Sequence, residues 1–285
     1  PLGELSRDDI VRMMVGRDLN GRSPMTSSTK GEEMLRVERL TLKHPGRPGD
    51  FLVHGVSFHV RRGEVLGIFG LMGAGRTELL ECLFGLHGWA CSGEVFISGR
   101  RVVLRSPADA IAHGLALAPE DRKRDGLVLS MSVAENASLA SLERAEWFGL
   151  IRSRAEREYV RGYLERFRVK TPSLSQRIRN LSGGNQQKVI LAKWLATGPK
   201  VLLLDEPTRG IDIQAKKEIY ALIDELTSEG LALVAVSSEL PEILAVSDRI
   251  LVLCEGHPTA EFARAEATEE KIMHAALPRK QTLSC

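Results

Sequence analysis

The sequence contains no apolar run long enough to cross a membrane. A transmembrane helix needs about 20 consecutive apolar residues, and the longest apolar runs here, such as residues 231–236, have the length of a buried strand. If the protein works at a membrane, another chain or another part of the gene product must supply the membrane-spanning segments.

The sequence also has little excess charge of either sign and only four cysteines. The formal net charge is +2, which argues against nucleic acid as the main partner because nucleic-acid binders carry a concentrated basic face. Cys82, Cys91, Cys254 and Cys285 lie far apart in the sequence and show no metal-ligand spacing. With no signal peptide visible, we expect reduced thiols in a cytosolic protein.

The two ends of the chain resemble each other. Residues 5–16 and residues 267–278 each place a Ser or Thr helix cap before acidic residues and an Ile/Met-rich helix. We interpret residues 1–18 as the tail of a preceding, related domain, although capped amphipathic helices are common enough for the likeness to arise by chance. Residues 19–33 are polar and turn-rich, which predicts a linker.

Short apolar runs and helical segments alternate from Met34 onward, and this pattern predicts a mostly parallel sheet. A helix is predicted over residues 214–229, with one apolar face and Gly230 as its stop. The segment 131–179 is charged, helical in period and without a convincing strand, so we expect an inserted helical subdomain over about residues 128–190. The strand candidates are residues 56–60, 65–69, 94–97, 201–204, 231–236 and 250–253.

A glycine-rich segment, GLMGAGRT at residues 70–77, follows the second of these strands. Its glycines allow backbone amides to surround phosphate oxygens, and the next helix points its N-terminus at the same anion. Arg76 stands where the phosphate-loop pattern has lysine, and an ordinary glycine-rich turn is the alternative. The candidate nucleotide-binding residues are Gly70, Leu71, Met72, Gly73, Ala74, Gly75, Arg76, Thr77 and Glu78, with Thr77 also a candidate Mg²⁺ ligand.

A second motif, LSGGNQQK at residues 181–188, begins a helix that we expect to run to about Ala196. The hydroxyl of Ser182, the amides of Gly183 and Gly184 and the helix dipole together suit a γ-phosphate. A plain helix cap would need only the serine.

A third motif, VLLLDEP at residues 201–207, is an apolar strand that ends in two carboxylates. Asp205 is the candidate Mg²⁺ ligand, and Glu206 is the candidate general base for an attacking water. A solvated turn is the alternative. The sequence TRGID at residues 208–212, here called the D-loop, fits a loop that acts across a dimer interface.

Together, in this order and spacing, these motifs resemble those of the ABC ATPase family over roughly residues 34–262. The closer likeness is to bacterial ribose, galactose and xylose importers, in which one polypeptide carries two cassettes. The second cassette of that group characteristically has GLMGAGRTE, PEDRKRDGL (residues 119–127), LSGGNQQK, DEPTRGID and VSSELPE (residues 236–242), and all five are present here.

The resemblance implies an α/β fold, a P-loop NTPase cassette. It has a RecA-like, mostly parallel sheet core, a small antiparallel β subdomain and an inserted α-helical subdomain. Residues 34–266 would form this nucleotide-binding domain, after a tail of the preceding cassette (1–18) and a linker (19–33). Residues 267–285 would form a C-terminal helix and tail.

The resemblance also marks departures from an ordinary cassette. Glu120 stands at the position of a glutamine that links Mg²⁺ to the helical subdomain, and Ser238 stands at that of a switch histidine. Ser238 lacks the charge and the two ring nitrogens of histidine. The aromatic residue that stacks on adenine would be His44 or Phe51. We therefore expect this chain's own site to bind nucleotide weakly or without turnover, while Glu206 keeps slow hydrolysis possible.

The family's mode of action implies ATP and Mg²⁺ as cofactors and a head-to-tail dimer in which the LSGG face completes the partner's site. The implied partners are an N-terminal cassette of the same polypeptide, membrane permease chains and, indirectly, a periplasmic sugar-binding protein, with no nucleic acid. The implied location is cytoplasmic, peripheral on the inner face of the cell membrane. A non-transport ABC ATPase and a regulatory or structural cassette without nucleotide are the alternatives, and residues 120–125 are either a coupling element or a solvated loop.

Overall fold

The short apolar runs of the sequence form strands of two main sheets. The computed structural model describes residues 31–278 apart from 48 and 149. In that part of the chain the strands are β1 (Glu33–Lys43), β2 (Phe51–Arg61), β3 (Val65–Gly70), β4 (Cys91–Ile97), β5 (Arg100–Val102), β6 (Leu115–Ala118), β7 (Glu146–Trp147), β8 (Leu150–Ile151), β9 (Val201–Asp205), β10 (Ala232–Ser237), β11 (Arg249–Cys254) and β12 (His257–Ala263).

The larger sheet has six strands in the order β12-β11-β3-β10-β9-β6. All of its neighbours are parallel except β12, which is antiparallel to β11. Every residue of β3, β9 and β10 is buried, as expected for parallel strands covered on both faces. The predicted parallel core is therefore confirmed, with four of the strand candidates in β3, β9, β10 and β11.

The smaller sheet is antiparallel, in the order β2-β1-β4-β5. The strand candidates at residues 56–60 and 94–97 lie within β2 and β4. Buried residues recur along β1 and β2 with irregular register, so one face of the sheet packs on the core. This confirms the predicted small antiparallel subdomain.

Helices cover the larger sheet and form the inserted segment. The best predicted of them, over residues 213–228, buries Ile219, Leu222, Ile223 and Leu226, and burial of each such side chain stabilises the fold by about 1.5–3 kcal/mol. Within the described ranges no helix has the length and apolar character needed to span a bilayer. The helices are α1 (Arg76–Leu83), α2 (Pro107–Ala112), α3 (Val133–Ser138), α4 (Ser153–Arg166), α5 (Gly183–Leu195), α6 (Ile213–Ser228), α7 (Leu240–Val246) and α8 (Glu269–Ala276).

The inserted segment between β6 and β9 contains α3 and α4, as predicted, but it also contains a hairpin. Strands β7 and β8 pair antiparallel through Glu146 with Ile151 and Trp147 with Leu150. The expectation of no strand in residues 131–179 is therefore wrong. Two-residue strands are too short to show the alternation that identifies a strand in a sequence.

The cysteine prediction is wrong for one pair. Cys82, at the end of α1, and Cys91, at the start of β4, form a disulfide with their Cα atoms 6.2 Å apart. The statement that the cysteines lie far apart in the sequence also fails for this pair, because the two are nine residues apart and the turn between α1 and β4 brings them together. Cys254 is buried and has a free thiol.

The predicted C-terminal helix is present as α8. The hydroxyl of Thr268 accepts a hydrogen bond from the backbone N–H of Lys271, which makes Thr268 the predicted cap. The interpretations of residues 1–18 and of the tail 279–285 concern residues outside the described ranges. The same holds for the predicted linker 19–33 up to residue 30, while its last residue, Glu33, is the first residue of β1.

Candidate functional site

Three parallel strands place the glycine-rich loop, the pair Asp205 and Glu206, and residues 237–238 at one edge of the larger sheet. β3 runs into the glycine-rich loop, β9 ends at Asp205, and β10 ends at Ser237. In the strand register Asp205 lies beside Val236, and Ser237 lies beside Phe69. Because the carboxyl ends of neighbouring parallel strands meet at one edge, the loops that follow them share one site.

The glycine-rich loop at residues 70–77 passes directly into α1. Gly73 and Gly75 both have positive φ angles, 78° and 87°, and Gly75 is the N-cap of the helix. The N-terminus of α1 therefore points its free amides into the loop, which is the arrangement that binds a phosphate. Glu78 lies in the first turn of α1, close to that anion position.

Arg76 forms an ion pair with Glu206. Its Nη1 lies 3.3 Å from Glu206 Oε1, and the two side chains are only 11% and 8% exposed. This nitrogen has no hydrogen-bond partner among the described residues, so the contact is electrostatic. The arginine at the lysine position is thus engaged by the candidate general base instead of being free for phosphate.

Glu206 is held by hydrogen bonds to the end of β10. Its backbone N–H donates to the carbonyl oxygen of Val236 at 2.9 Å, and its Oε1 accepts from the backbone N–H of Ser238 at 2.7 Å. Glu206 also has a positive φ of 46°, a left-handed conformation that costs a non-glycine residue about 1–2 kcal/mol. The switch position therefore contributes a backbone amide to the carboxylate.

Asp205 and Thr77 lie together and offer oxygen ligands. Burial raises the pKa of Asp205 from 3.8 to about 6, against the lowering effect of its hydrogen bond with Thr77. Its Oδ1 is buried and lacks a hydrogen-bond partner within the described chain. A carboxylate oxygen without a partner beside a threonine hydroxyl is a hard donor set that fits Mg²⁺.

We expect Asp205→Asn to stabilise the protein at neutral pH. The pKa of Asp205 is higher in the folded than in the unfolded protein. The carboxyl's contribution to the free energy of unfolding is therefore fully present below about pH 4 and is lost as the pH rises through about 6. The loss at pH 7 is up to about 3 kcal/mol. Urea unfolding should therefore show a gain for the variant at pH 7 that shrinks toward pH 4.5.

Asp109→Asn is the matched control. Hydrogen bonds from Ser106 and Arg105 lower the pKa of Asp109, so its contribution has the opposite pH dependence and its variant should lose stability at neutral pH. An Asp205→Asn gain that stays the same from pH 4.5 to pH 7 would show that the pKa of Asp205 is not raised.

The LSGGNQQK motif at residues 181–188, here called the signature motif, begins α5, the signature helix. Its N-terminal turn, residues 182–184, is called the signature turn, and the surface that this turn presents is the signature face, or LSGG face. Ser182 is the N-cap, and its Oγ accepts hydrogen bonds from the backbone N–H of Asn185 at 3.5 Å and from Asn185 Nδ2 at 2.9 Å. Gly183 and Gly184 form the first turn, so their amides point out of the helix N-terminus. α5 ends at Leu195, one residue before the predicted end.

The structure brings some of the predicted site residues together and places others elsewhere. Arg76, Thr77, Asp205, Glu206 and Ser238 form one cluster through the contacts above. Glu120 instead forms an ion pair with Arg209 of the D-loop, while Leu71 and Met72 are exposed at the tip of the phosphate loop.

The two candidates for adenine stacking lie near the same loop. Phe51 stacks on His54 with ring centroids 4.2 Å apart, and His44 lines a cavity with Leu52, His87 and Trp89. The carbonyl of Leu52 borders Gly75, which places this cavity beside the phosphate loop. Which of the two residues stacks stays a prediction.

Sequence reasoning missed a buried polar network behind Glu206. Glu242, on α7, accepts hydrogen bonds from Ser237 at 2.6 Å and from Thr208 at 2.7 Å, and burial raises its pKa. The Ser237 hydroxyl also lies 3.4 Å from Glu206 Oε2. The only signal in the sequence was the VSSELPE stretch, which contains both Ser237 and Glu242.

The fold and this cluster define the class of the protein: an ATP-binding cassette with a phosphate loop, a carboxylate pair at a strand end and an LSGG helix. Residues 53–209 match the family model described as ABC transporter. The chain therefore belongs to the ABC transporter family.

Among ABC transporter proteins, the chain is similar to the ATP-binding proteins of sugar importers. The chain is 69% identical over 283 residues to the ribose import ATP-binding protein RbsA of Rhodopirellula baltica, covering 99% of this chain and 55% of that protein. It is 50% identical over 273 residues to the xylose import ATP-binding protein XylG of Moorella thermoacetica, covering 96% and 54%. The chain thus spans about half the length of these relatives.

Solved structures support the fold alone, because their sequence identity is low. A nucleotide-free ATP-binding cassette from an ABC transporter matches with a TM-score of 0.72 at 22% identity, covering 87% of this chain and 100% of that one. A dimeric cassette bound to ADP and Pi matches with a TM-score of 0.69 at 20% identity, covering 81% and 99%.

Proposed function

We propose that this chain is the second of two cassettes in the ATP-binding protein of a bacterial monosaccharide importer, coupling ATP binding and hydrolysis to sugar uptake. Its likeness to proteins named for ribose and xylose import supports the sugar class. Their roughly doubled length leaves room for another cassette, which we propose lies N-terminal to this one. Permease chains in the membrane and a periplasmic sugar-binding protein would complete the system, with this chain on the cytoplasmic face.

We further propose a division of labour, in which this chain's own nucleotide site is weak and its LSGG face completes the active site of the other cassette. The observation that carries this proposal is the Arg76–Glu206 ion pair. A nucleotide phosphate entering the loop must compete with Glu206 for Arg76, and separating a mostly buried pair leaves a buried charge uncompensated. The guanidinium is also bulkier than the lysine ammonium of the ordinary pattern. This chain's own site therefore binds nucleotide weakly and turns it over slowly.

The signature face lacks these defects. Ser182 caps α5, and the amides of Gly183 and Gly184 are placed for a γ-phosphate on the facing cassette. The helix dipole adds favourable potential at that point. The face thus completes the partner's site, where the chemistry proceeds.

Mg²⁺ in this chain's own site would be held by Thr77 and Asp205. The ion neutralises phosphate charge when it is bound. Glu206 is placed to take a proton from water only when Arg76 leaves it, which limits hydrolysis at this site. Closure of the two cassettes would move the helical segment between β6 and β9 and, with it, a docked permease.

The test is to mix the chain with its N-terminal cassette and to measure ATPase. We expect activity on mixing, and we expect Ser182→Arg to lower it by about 100-fold, the scale for loss of a group that stabilises transition-state charge. Arg76→Ala should leave the rate of the mixture within a factor of a few. Calorimetric titration of MgATP into the chain alone should show weak binding.

Ser106→Arg is the matched control, because Ser106 caps α2 in the same way and its hydroxyl accepts from the backbone N–H of Asp109. Each substitution removes one cap, at about 1 kcal/mol, but only Ser182 belongs to the signature face. If Arg76→Ala abolished the activity and Ser182→Arg did not, the division of labour would be reversed. MgATP binding with no ATPase in the mixture would refute the pairing of the two cassettes.

A further inference from the structure

Arg122 connects the D-loop, residues 208–212, with the first turn of the LSGG helix α5. Its Nη1 donates to the carbonyl oxygen of Arg209 at 2.6 Å, and its Nη2 donates to that of Gly210 at 3.1 Å. Both acceptors are backbone groups of the D-loop. The planar guanidinium thus holds two consecutive carbonyls at once, which a lysine ammonium cannot do with the same geometry.

The same guanidinium lies against the signature turn. A Cβ atom placed on Gly183 would lie 2.9 Å from Arg122 Nη2 and 3.4 Å from the carbonyl oxygen of Gly210. The absence of a side chain at position 183 therefore leaves the space in which Arg122 sits. The first residue of the LSGG helix and the D-loop are in contact through this one side chain.

The segment that carries Arg122 is itself anchored. Residues Arg122–Gly126 form a π-helical turn that is capped by the Asp121 carboxylate, which accepts from the backbone N–H groups of Lys123 and Arg124. At the end of the turn, Lys193 Nζ of α5 donates to the carbonyl oxygen of Gly126 at 2.7 Å. The turn is thus tied to the signature helix at Gly126 and to the D-loop at Arg122.

A second contact repeats the connection to the D-loop. Glu120 pairs with Arg209, so both sides of Asp121 hold the same loop. The Arg124 side chain, by contrast, is 82% exposed and forms an ion pair with its sequence neighbour Asp125. Arg122 and Arg124 carry the same charge, but of the two only Arg122 contacts the D-loop.

We propose that Arg122 is a positioning residue that locks the D-loop to the LSGG turn and so sets the shape of the face presented to the partner's nucleotide. This inference rests on the proposed function of that face. Groups that stabilise a transition state must be held within a fraction of an ångström, and a misplacement of about 1 Å can lower a rate by about 100-fold. The guanidinium supplies that constraint without touching the nucleotide of its own phosphate loop.

The test compares Arg122→Ala, Arg122→Lys and the control Arg124→Ala in the mixture with the N-terminal cassette. We expect Arg122→Ala to lower kcat by about 10- to 100-fold, with little change in KM because the partner's own phosphate loop supplies most of the ground-state binding. Arg122→Lys should recover part of the rate, and Arg124→Ala should match the wild type. MgATP binding by the variant chain alone and its unfolding midpoint should stay unchanged.

A double-mutant cycle with Gly183→Ala examines the contact itself. The added methyl should displace the guanidinium in the wild type but should meet less obstruction in Arg122→Ala, so the two effects on kcat should be less than additive. Full additivity, or an Arg122→Ala rate equal to that of Arg124→Ala, overturns the proposal.

One measurement does not need the partner and separates this inference from the proposed function. The backbone N–H groups of the D-loop residues Arg209 and Ile211 donate to the carbonyl oxygens of Glu206 and Thr208. Their hydrogen exchange in the chain alone should be faster in Arg122→Ala and unchanged in Arg124→Ala. No ATPase in the wild-type mixture refutes the proposed function, whereas unchanged exchange in Arg122→Ala refutes the lock.

Discussion

Gly75→Ala is expected to destabilise the protein by about 3 kcal/mol or more, whereas Gly73→Ala costs only about 1–2 kcal/mol. Both glycines have left-handed φ angles, 87° and 78°, so both variants incur the same conformational cost. The difference lies in the space around them. A Cβ atom on Gly75 would lie 2.1 Å from the carbonyl oxygen of Leu52, whereas nothing lies within 4 Å of one on Gly73.

The clash at Gly75 cannot be relieved by a side-chain movement. Leu52 belongs to β2, and the Cα of Gly256, in the turn between β11 and β12, would lie 3.4 Å from the same Cβ. The N–H of Gly256 in turn donates to the carbonyl oxygen of Ala74 at 3.1 Å. The phosphate loop is therefore held between backbone segments of both sheets, and a methyl group must push them apart.

Urea unfolding of the two variants measures the difference directly, with the slope of the transition as a check that both unfold in the same way. MgATP titration should show a larger loss of binding for Gly75→Ala than for Gly73→Ala, because only the former moves the amides that start α1. Equal free energies of unfolding for the two variants would contradict the tight approach of β2 to the loop.

The features of the fold and of the site that the sequence predicted are those encoded by residues close together in the chain. The strand that ends at Asp205, the cap at Ser182 and the glycines of the phosphate loop each follow from a few adjacent residues. Hydrophobic runs likewise located most strands of the parallel core. Two-residue strands such as β7 lack such a signal.

Contacts between distant residues could not be read from the chain in the same way. Arg122 and Arg209 are 87 residues apart, and Thr208 and Glu242 are 34 apart. Each contact depends on which loops the strand order places side by side, and on rotamers that only packing decides. The sequence showed that Arg76 occupies the lysine position of the phosphate-loop pattern, but it did not show the ion pair of Arg76 with Glu206.

That pairing leads to the second large effect: Arg76→Lys is expected to tighten MgATP binding by this chain about tenfold or more, a change of about 1.4 kcal/mol or greater. The lysine ammonium is compact and fits the ordinary phosphate-loop pattern. In the wild type, phosphate must draw Arg76 away from Glu206, 3.3 Å away and nearly buried. Calorimetric titration measures the change, and Arg101→Lys, at an exposed pair with Glu94, should leave the affinity unchanged.

Glu206→Gln tests the same competition from the other partner. Loss of the carboxylate charge frees Arg76 for phosphate, so this variant should also bind MgATP more tightly. Both variants weaken the same ion pair that competes with phosphate, so the double variant should gain less than the sum of the two single gains. Weaker binding in both single variants would instead make Arg76 a phosphate ligand that Glu206 holds in place, and this chain's own site would then be a competent one.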